Sequence, residues 1–335
     1  MLFCLELKSV ITAKYAGETL IESLTRRFTY KERDFWLAKI SGGELKVNGL
    51  LGSPEQILQE GDELQFLIPE FYEPDLDTSY RKIWENENLL LVSKPADLPV
   101  HSNHRFIHQT MTAVLRRDEG RPDLNPLHRL DRETSGLMLY MKQQFANRRL
   151  RRDPGQVIRE KFYLAIVQGE FVSERVRVDL PLKEAGCPPV RYKMLPAEAG
   201  EGQMAATEFF RLGVTKGKSL LLARLETGRK HQIRAHLAWL GYPLVGDKLY
   251  AHDGRYFIKR CQDDLQTEDI ERMGSSHHLL HAYSLVLQLP VEGRLFFCSE
   301  YYSQEFAAAL ASFAGWQTVA ASVISSFAGP ECNRP

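Results

Sequence analysis

The spacing of apolar segments after Arg81 is the feature that most constrains the fold of this chain. Five segments have the length and residue types of β-strands, and three others have helical periodicity. The strand-like segments are KIWENENLLLVSK, GLMLYMK, KFYLAIVQGEF, SLLLARL and HHLLHAYSLVLQLP, and the helical ones are HQTMTAVLRRDEG, QFANRRLRRD and KHQIRAHLAWLGYP. Helices of crossover length do not regularly separate the strands, which argues against a doubly wound parallel sheet. The pattern predicts an α+β fold, with a mixed, largely antiparallel sheet and flanking helices.

A smaller unit precedes this region. TLIESLTRRF has Leu20, Ile21 and Leu24 at helical spacing, and KERDFWLAKISGG is predicted to be a second helix that ends at glycines. ELKVNGLLG alternates like a strand around an Asn-Gly turn, and EGDELQFLIP is predicted to be a further strand. We therefore predict a small α/β domain over residues 1–72, a linker over 73–80, a main domain over 81–312 and a loosely held tail over 313–335.

Charge is unevenly distributed along a chain whose formal net charge is zero. Residues 1–75 contain 8 Lys or Arg and 13 Asp or Glu, a net charge of −5. Residues 101–152 contain 11 basic and 5 acidic residues, a net charge of +6. A locally basic segment can attract a polyanion even when the whole molecule is neutral. The basic segment is therefore a candidate contact for nucleic acid.

Motifs for metals, nucleotide cofactors and covalent nucleophiles are missing from the sequence. The five cysteines are scattered without a CxxC pair, which argues against a thiolate zinc site and a disulfide framework and fits a reducing cytosol. Two histidine groups, HSNHRFIH and SHHLLH, lack the cysteines or the HExxH-type glutamate that usually accompany zinc. There is also no P-loop, GxGxxG or GxSxG motif. We predict that the protein needs neither a metal nor a cofactor.

The sequence also lacks membrane-targeting features. The first ten residues, MLFCLELKSV, contain an acidic residue within the apolar run and no basic start, unlike a secretory signal. No run approaches the ~20 apolar residues that a membrane span requires, and no long apolar heptad pattern indicates an obligate assembly. These observations predict a cytoplasmic monomer that does not enter a membrane.

Asp131 is the first candidate for a chemical role. It lies in LNPLHRLDRETSGLMLYMK, between Arg129 and Arg132, where a loop meets an apolar strand. An ion pair is the ordinary explanation of a carboxylate flanked by arginines. A carboxylate that is partly buried at such a junction must be paired, and catalytic carboxylates are held in the same way. From the residues alone, both interpretations of Asp131 stay open.

Two further side chains have ordinary explanations as well. In RLETGRKHQIRAHLAWLGYP, helical spacing puts Ile233 and Leu237 on the packed face and Arg234 on its flank, at the edge of a possible cleft. A solvated basic helix explains this pattern too, and the pattern alone favours it. Tyr163 in KFYLAIVQG alternates with Phe162 on a strand, and tyrosine is a good strand former in any protein.

Taken together, these segments resemble the RluA-type family of RNA pseudouridine synthases over residues 80–300. NENLLLVSKPADLPVH is similar to the first motif of the family, and HRLDRETSG, from His128 to Gly136, is similar to its signature loop. KFYLAIVQG, ETGRKHQIRAHLAWLGYPLVGDKLY and LLHAYSLVL are similar to the later motifs and follow in the same order. The N-terminal unit resembles an S4-type RNA-binding module through ELKVNG and GDEL, although its acidity departs from that pattern.

The resemblance implies isomerisation of uridine to pseudouridine in a structured RNA. It implies that Asp131 is the catalytic aspartate, that Tyr163 is the active-site tyrosine and that Arg234 pairs with the aspartate. LPVHSNHRFIHQT and LNPLHRLDR resemble a branch that acts on uridines of the tRNA anticodon stem, so tRNA is favoured over 23S-type rRNA. The side chains expected to contact RNA are Arg129, Arg132, Arg148, Arg149, Arg151, Arg152, Arg229 and His231.

Two other functions stay open at this point. A non-catalytic RNA-binding protein could keep the shell of the enzyme, although the intact Asp131, Tyr163 and Arg234 speak against it. A nucleosidase would act on free nucleosides with little salt dependence, whereas an RNA enzyme binds its substrate more weakly as salt rises. The sequence does not decide whether Asp131 attacks C1′ of the ribose or removes the C2′ proton.

Overall fold

The computed structural model describes residues 2–29, 31–103, 105–142, 154–186, 190–198, 200–262 and 265–329. The chain divides into two compact units, Met1–Asp75 and Leu76–Pro335. Each unit has its own buried apolar core. The division falls within the linker that the sequence predicts over residues 73–80.

The first unit is a four-stranded antiparallel sheet whose core is shared with two helices. Its elements are β1 (Leu2–Val10), α1 (Leu20–Arg27), α2 (Arg33–Ser41), β2 (Leu45–Val47), β3 (Leu50–Leu51) and β4 (Glu63–Tyr72), and the strand order is β1-β4-β2-β3. Asn48 and Gly49 form the β2–β3 turn with positive φ, as an Asn-Gly hairpin turn requires. The sequence does not indicate β1, because Leu5 is the one buried residue in this strand and it creates no alternation.

The second unit contains the longer elements. Its strands are β5 (Arg81–Glu85), β6 (Leu89–Lys94), β7 (Asn125–Pro126), β8 (Ser135–Met141), β9 (Ile158–Gln168), β10 (Arg175–Asp179), β11 (Leu182–Glu184), β12 (Met194–Pro196), β13 (Ala206–Thr215), β14 (Lys218–Leu225), β15 (Leu280–Leu289) and β16 (Gly293–Cys298). Its helices are α3 (Met111–Asp118), α4 (Gln232–Trp239), α5 (Arg255–Gln262), α6 (Thr267–Met273), α7 (Gln304–Leu310) and α8 (Trp316–Ala328). The basic helix predicted from QFANRRLRRD lies outside the described residues. Within the described ranges, no helix has the length and apolar character of a membrane span.

A ten-stranded sheet organises the second unit. Eight of its strands follow the order β10-β13-β14-β9-β15-β8-β6-β5, while β16 pairs with β15 and β7 pairs with β8. Strands β15 and β8 run parallel, and the other paired strands of this sheet run antiparallel. The predicted α+β fold with a mixed, largely antiparallel sheet and flanking helices is confirmed. Strands β11 and β12 form a separate two-stranded ribbon.

Both faces of the sheet are covered, and this explains why the central strands read as continuous apolar runs. On β9, Tyr163 and Ala165 belong to a core that includes residues of α3 and α4. Phe162 and Leu164 point the other way, into a core that includes residues of α7 and α8. The alternation along β9 thus leaves Tyr163 on the same face of the sheet as α4.

The C-terminal segment differs from its prediction. The sequence predicts a loosely held tail over residues 313–335, but Trp316–Ala328 forms helix α8. Trp316, Ala320 and Ile324 are buried in the core that contains Phe162 and Leu164. Their spacing of four residues is a narrow apolar stripe. Small and hydroxylated residues around the stripe conceal it when the segment is judged by composition alone.

Gly136 lies where β8 meets the parallel strand β15. Its φ is +104°, and a Cβ atom built on it would lie 2.7 Å from the backbone nitrogen of Ala282 and closer still to the carbonyl oxygen. A side chain at this position would therefore separate the two strands. The last residue of HRLDRETSG is a glycine because the strand pair that follows the signature loop has no room for any other residue.

Candidate active site

Asp131 lies in the loop between β7 and β8, next to the buried Leu130. Two hydroxyl–histidine hydrogen bonds anchor the end of this loop to the strand region at β15. Thr134 Oγ1 lies 2.8 Å from His278 Nε2, and Ser135 Oγ lies 2.7 Å from His281 Nδ1. The loop that carries Asp131 is therefore fixed on the sheet at its C-terminal end.

Lys94, at the end of β6, also holds this loop in place. Its fully buried ammonium group donates to the carbonyl oxygens of Pro95 and Leu98 at 2.8 Å and to that of Arg132 at 3.0 Å. Burial lowers the pKa of Lys94 to about 7, while the nearby carboxylates of Asp97 and Asp131 act in the opposite direction. Lys94 thus holds the backbone directly after Asp131 in place.

Arg234, on α4, contacts Asp131 directly. Its Nη1 donates to Asp131 Oδ2 at 2.8 Å, although 103 residues separate the two in the sequence. A second carboxylate, Asp247, accepts from Arg234 Nε at 2.7 Å and from Nη2 at 2.9 Å. Asp247 is completely buried and also accepts from the backbone N–H groups of Leu249 and Tyr250. The guanidinium is therefore clamped from behind by Asp247 and presents its remaining edge to Asp131.

The environment keeps Asp131 ionised. Burial by itself raises the pKa of this carboxyl, but His231, Arg234 and His278 lower it, and the net result is a pKa well below the usual range. Burial lowers the pKa of both histidines to about 4, so at neutral pH Arg234 is the group of these three that carries a full charge. Arg234 therefore has the main role in holding the carboxylate charged.

His231 and Tyr250 complete the surroundings of the pair. His231 immediately precedes α4 with a left-handed φ of 54°, and its Nε2 lies 4.0 Å from Asp131 Oδ2. Its Nδ1 lies 3.2 Å from the hydroxyl of Tyr250, which also accepts from the backbone N–H of Met194 on β12. The Arg234 guanidinium lies 5.0 Å from the centre of the Tyr250 ring, within the range of a cation–π contact.

Tyr163, on β9, is 6% exposed and lines the same cavity as Asp131. Burial, together with the charge of Asp131, raises the pKa of its hydroxyl well above the ordinary value. The phenol therefore stays protonated at neutral pH. The structure thus brings Asp131, Tyr163 and Arg234, which come from three separate parts of the sequence, to one site.

Asp131 lies where two clefts meet. The larger cleft has a volume of about 990 Å³ and the smaller one about 600 Å³. Six residues line both clefts: His101, Arg129, Leu130, Asp131, His231 and Arg234. Seven arginines and lysines line the larger cleft against three carboxylates, as expected for a site that receives a polyanion.

The model of the RNA pseudouridylate synthase family matches residues 88–239. An RNA pseudouridine synthase of Synechocystis sp. is 30% identical over 277 residues, which cover 82% of this chain and 94% of that protein. The chain belongs to the RNA pseudouridine synthase family. Members of this family isomerise uridine to pseudouridine in RNA, and the predicted RluA-type family is confirmed. The S4-type character of the first unit stays a prediction.

Two other relatives are longer than this chain. Human pseudouridylate synthase RPUSD2 is 30% identical over 250 residues, which cover 73% of this chain and 44% of that protein. The mitochondrial tRNA pseudouridine(32) synthase of Saccharomyces cerevisiae is 28% identical over 240 residues, 72% of this chain and 52% of that protein. The chain thus spans about half the length of these two relatives. The solved structure of human RNA pseudouridylate synthase domain containing 4 has a TM-score of 0.52 at 24% identity and covers 70% of this chain and 92% of that one, a likeness that concerns the fold.

Glu133, two residues after Asp131 in the signature loop, is a structural anion. It accepts from Lys248 Nζ at 2.9 Å, from Arg260 Nη1 at 2.6 Å and from the backbone N–H of His278 at 3.0 Å. Burial raises the pKa of Glu133, but Lys248 and the other cations outweigh it and hold the pKa well below the usual range. Glu133 therefore carries no proton to donate at neutral pH, and α5 is tied to the signature loop through Arg260.

The predicted RNA contacts differ in their surroundings. Arg129 is exposed and lines both clefts, and Arg229 is exposed at the rim of the larger one. Arg132 instead pairs with Asp97 at 2.8 Å and lies 4.6 Å from the ring centre of Phe106. The other four predicted arginines lie outside the described residues: Arg148, Arg149, Arg151 and Arg152.

Most of the histidines singled out in the sequence have defined hydrogen-bond partners in the described part of the chain. His281 Nε2 lies 3.0 Å from the carbonyl oxygen of Ser299, and His277 Nε2 lies 2.8 Å from Ser303 Oγ. His128 Nε2 accepts from the backbone N–H of Leu139 at 3.1 Å and thereby orders the signature loop. Over the described ranges, no group of three or more His, Cys, Asp or Glu is placed to hold a metal ion.

The sequence predicted no role in the site for Asp247, Tyr250 or Lys94, although Lys94 lies in the first family motif. Asp247 and Tyr250 lie in LVGDKLY, which belongs to a family motif but shows no periodicity that marks a site. A physical signal for Asp247 does exist. A guanidinium has five N–H donors, and a single carboxylate cannot satisfy them in a dry pocket, so a second acceptor is required.

Proposed function

We propose that Asp131, held as a carboxylate by Arg234, is the reacting group with which this chain isomerises uridine in a structured RNA. The observation that supports this proposal is the pair itself: a carboxylate at the meeting point of two basic clefts, 2.8 Å from a clamped guanidinium. Tyr163 is the aromatic candidate to receive the base, because it lines the larger cleft together with Asp131. These three residues form the proposed catalytic group.

The reaction breaks the N1–C1′ bond of uridine, turns the uracil and rejoins it to the ribose through C5. Asp131 begins the sequence either by attacking C1′ or by removing the C2′ proton, and both routes need the carboxylate charged. Glycoside hydrolysis ordinarily uses a second carboxyl group as an acid. Uracil can leave as a delocalised anion, and Glu133 is ionised by Lys248 and Arg260, so the proposed chemistry uses one carboxylate.

The other two residues have complementary roles in this proposal. Arg234 compensates the burial of Asp131 and keeps it ionised in a pocket from which water must be excluded. Tyr163 offers a ring on which the freed uracil can stack while it turns. In this proposal its protonated hydroxyl lies near the C5 proton of the uracil, which has to leave in the last step.

We propose tRNA as the substrate class, with large-subunit rRNA as the second candidate. The motifs around Asn103 and Leu127 resemble the branch that acts on the tRNA anticodon stem, and a relative carries the name tRNA pseudouridine(32) synthase. Because C1′ of a stacked nucleotide is inaccessible, the target uridine must be flipped into the larger cleft. A basic cleft of about 990 Å³ has room for a nucleotide and part of its neighbours.

We further propose that the enzyme works as a cytoplasmic monomer that binds RNA. Cys4 and Cys261 are exposed and form no disulfide in the described part of the chain, which suits a reducing compartment. The name of the yeast relative refers to mitochondria, so fractionation of cells that produce this chain is the direct test of the compartment. Sedimentation of the purified chain with and without RNA tests the monomer.

Pseudouridine mapping tests the proposed function. Total RNA from cells that lack the gene is compared after complementation with the wild type, with Asp131→Asn, or with Asp118→Asn. Asp118 is a matched control, because it is an exposed aspartate on α3 that lines neither cleft. We expect wild type and Asp118→Asn to restore the same pseudouridine in a tRNA and Asp131→Asn to restore none.

Each alternative function has its own outcome in this comparison. A non-catalytic RNA-binding protein would give the same map for wild type and Asp131→Asn. A nucleosidase would leave every RNA unchanged and would cleave uridine monomer at a rate that does not depend on salt. Restoration of a site in rRNA would move the substrate class to rRNA while leaving the role of Asp131 intact.

A further inference from the structure

Most cations that line the two clefts are already neutralised by carboxylates of the protein. Arg224 pairs with Glu160 at 2.7 Å and with Glu226 at 3.0 Å in the larger cleft. Arg132 pairs with Asp97, and Lys248 and Arg260 both pair with Glu133, in the smaller cleft. These pairs hold the walls of the clefts together, so the charge available to a polyanion is smaller than the count of basic residues indicates.

Two cations on β9 are among those that no carboxylate neutralises. Arg159 and Lys161 line the larger cleft, and within the described ranges neither side chain makes a hydrogen bond or an ion pair. Lys161 and Tyr163 lie two residues apart on one face of β9. Arg159 lies where the pairing of β9 with β15 is irregular, and it lines the same cleft, so the three side chains form a row along the cleft wall. The row ends at the proposed catalytic tyrosine.

Exposure falls along this row toward the active site. Arg159 is exposed, Lys161 is half-buried and Tyr163 is 6% exposed. Lys161 and Tyr163 are about 7 Å apart along the strand, because a strand rises about 3.4 Å per residue. The row therefore leads from the surface to the position where the flipped uridine is expected.

Lys161 is the more informative of the two cations. Its ammonium group lies against the turn that precedes α4, since a Cβ atom added to Gly228 would be 3.4 Å from Lys161 Nζ. A half-buried ammonium without an anion is costly. The nearby carboxylates Glu160 and Glu226 are engaged by Arg224, so Lys161 is free to pair with an anionic ligand.

We propose that Lys161 and Arg159 bind two consecutive phosphate groups of the RNA on one side of the target uridine. This assignment rests on the proposed function, and it adds a phosphate subsite to it. A phosphodiester suits both residues: it offers charged acceptor oxygens to a point-like ammonium at Lys161 and to a forked guanidinium at Arg159. The RNA strand would then follow β9 until the target nucleotide turns in toward Tyr163 and Asp131.

The salt dependence of RNA binding tests the subsite. The variants Lys161→Met and Arg159→Gln remove one charge each, and Lys216→Met is the matched control, because Lys216 is exposed in the β13–β14 turn away from both clefts. Dissociation constants are measured between about 50 and 300 mM salt for an RNA in which the wild type forms pseudouridine. We expect each subsite variant to reduce the slope of log K against log salt by about 0.7–0.9 and to weaken binding roughly fivefold to tenfold near 0.1 M salt. Lys216→Met should behave like the wild type.

Single uncharged linkages identify the phosphates. A series of RNAs carries one methylphosphonate at each position from the target to its third neighbour on either side. The affinity of the wild type should fall when the methylphosphonate is at either of two adjacent positions. In Lys161→Met and in Arg159→Gln, the methylphosphonate at one of these positions should no longer lower the affinity. Two sites that do not interact do not show this double-mutant relationship. Thermal unfolding of each variant checks that the fold is intact, and the exposed Arg159 supplies the second variant if Lys161→Met does not fold.

Three results would overturn the assignment. One is an unchanged salt slope in both subsite variants. Another is a loss of affinity on methylphosphonate substitution that persists in both subsite variants. The third is a fall in turnover at saturating RNA with the slope unchanged, which would place Lys161 against the uracil. These outcomes are distinct from failure of the proposed function, because they are read with an RNA that the wild type modifies; a wild type that forms no pseudouridine in any RNA refutes the function itself.

Discussion

At the residue scale, the site is a carboxylate whose charge is secured by a partner from a distant part of the chain. Sequence motifs identified Asp131 and proposed Arg234 as its partner, and the structure brings the two to 2.8 Å. Residue spacing alone could not identify Arg234 as the partner of Asp131, because an arginine at the flank of a helix has the same pattern whether it faces solvent or a cleft. Asp247 was not predicted for a related reason, because a carboxylate in a loop has no periodicity. The requirement for a second acceptor becomes clear only when the N–H donors of Arg234 are counted.

The first prediction concerns the clamp behind Arg234. Asp247→Asn removes one partner of a buried, doubly hydrogen-bonded pair, and we expect the free energy of unfolding to fall by about 3–5 kcal/mol. Asp179→Asn is the matched control, because Asp179 also accepts from Nε and Nη2 of an arginine, Arg177, but in an exposed pair. Urea unfolding of both variants measures the difference. Equal effects of the two substitutions would show that Asp247 is not a buried clamp.

The second prediction concerns pH. Because the folded-state pKa of Asp131 is lowered, the carboxylate form is present above the ordinary aspartate range near 3.9 and is lost only as the pH falls through the lower folded value. The wild type should therefore show no acid limb from Asp131 between pH 5 and 8. In Arg234→Gln, burial acts without the main opposing charge and raises the pKa of Asp131, so the rate should fall as the pH decreases toward 5.

Arg234→Lys is the control for this measurement, since it keeps the positive charge but loses the forked geometry. Its single-turnover rate should be lower than that of the wild type at every pH, without the acid limb of Arg234→Gln. The same pH profile for Arg234→Lys and Arg234→Gln would contradict the role of charge in holding Asp131 ionised.

At the scale of secondary-structure elements, the sequence predicts strands in which apolar and polar residues alternate and helices with recognisable capping residues. The strands that hold Tyr163 and follow Asp131 were predicted, as was the helix that carries Arg234. The parallel pairing of β8 with β15 was not, because pairing between segments about 145 residues apart leaves no local pattern. Strand β1 and helix α8 were missed because few of their residues are buried, so the apolar signal in each is sparse.

The third prediction concerns the glycine at the β8–β15 junction. Gly136→Ala places a methyl group against the backbone of Ala282 at a φ of +104°, and we expect a destabilisation of roughly 2–6 kcal/mol. Gly217→Ala is the matched control, with a φ of +75° and no atom within 4 Å of the added Cβ, and it should cost only about 1–2 kcal/mol. Thermal unfolding of the two variants compares them. Similar losses would show that backbone conformation, and not the close approach of the strands, decides the cost.

At the scale of the whole molecule, net charge is a poor guide to function. The formal charge is zero, yet Asp131 lies between two clefts in which cations outnumber carboxylates. The sequence revealed part of this asymmetry through its basic segment over residues 101–152, but four of the arginines that it singles out lie outside the described residues. It could not show which cations are available, because ion pairing depends on tertiary neighbours. Arg132 is paired with Asp97, whereas Arg159 and Lys161, for which the sequence predicted no role, line the larger cleft and their side chains have no partner in the described ranges.

The central claim is that Asp131 carries out the isomerisation. It is tested most directly by tritium release from an RNA labelled at C5 of uridine, because each pseudouridine that forms sets the C5 hydrogen free. We expect the wild-type chain and Asp118→Asn to release one tritium for each pseudouridine formed, and we expect Asp131→Asn to bind the same RNA and release none. Release by Asp131→Asn at a rate close to that of the wild type would contradict the account.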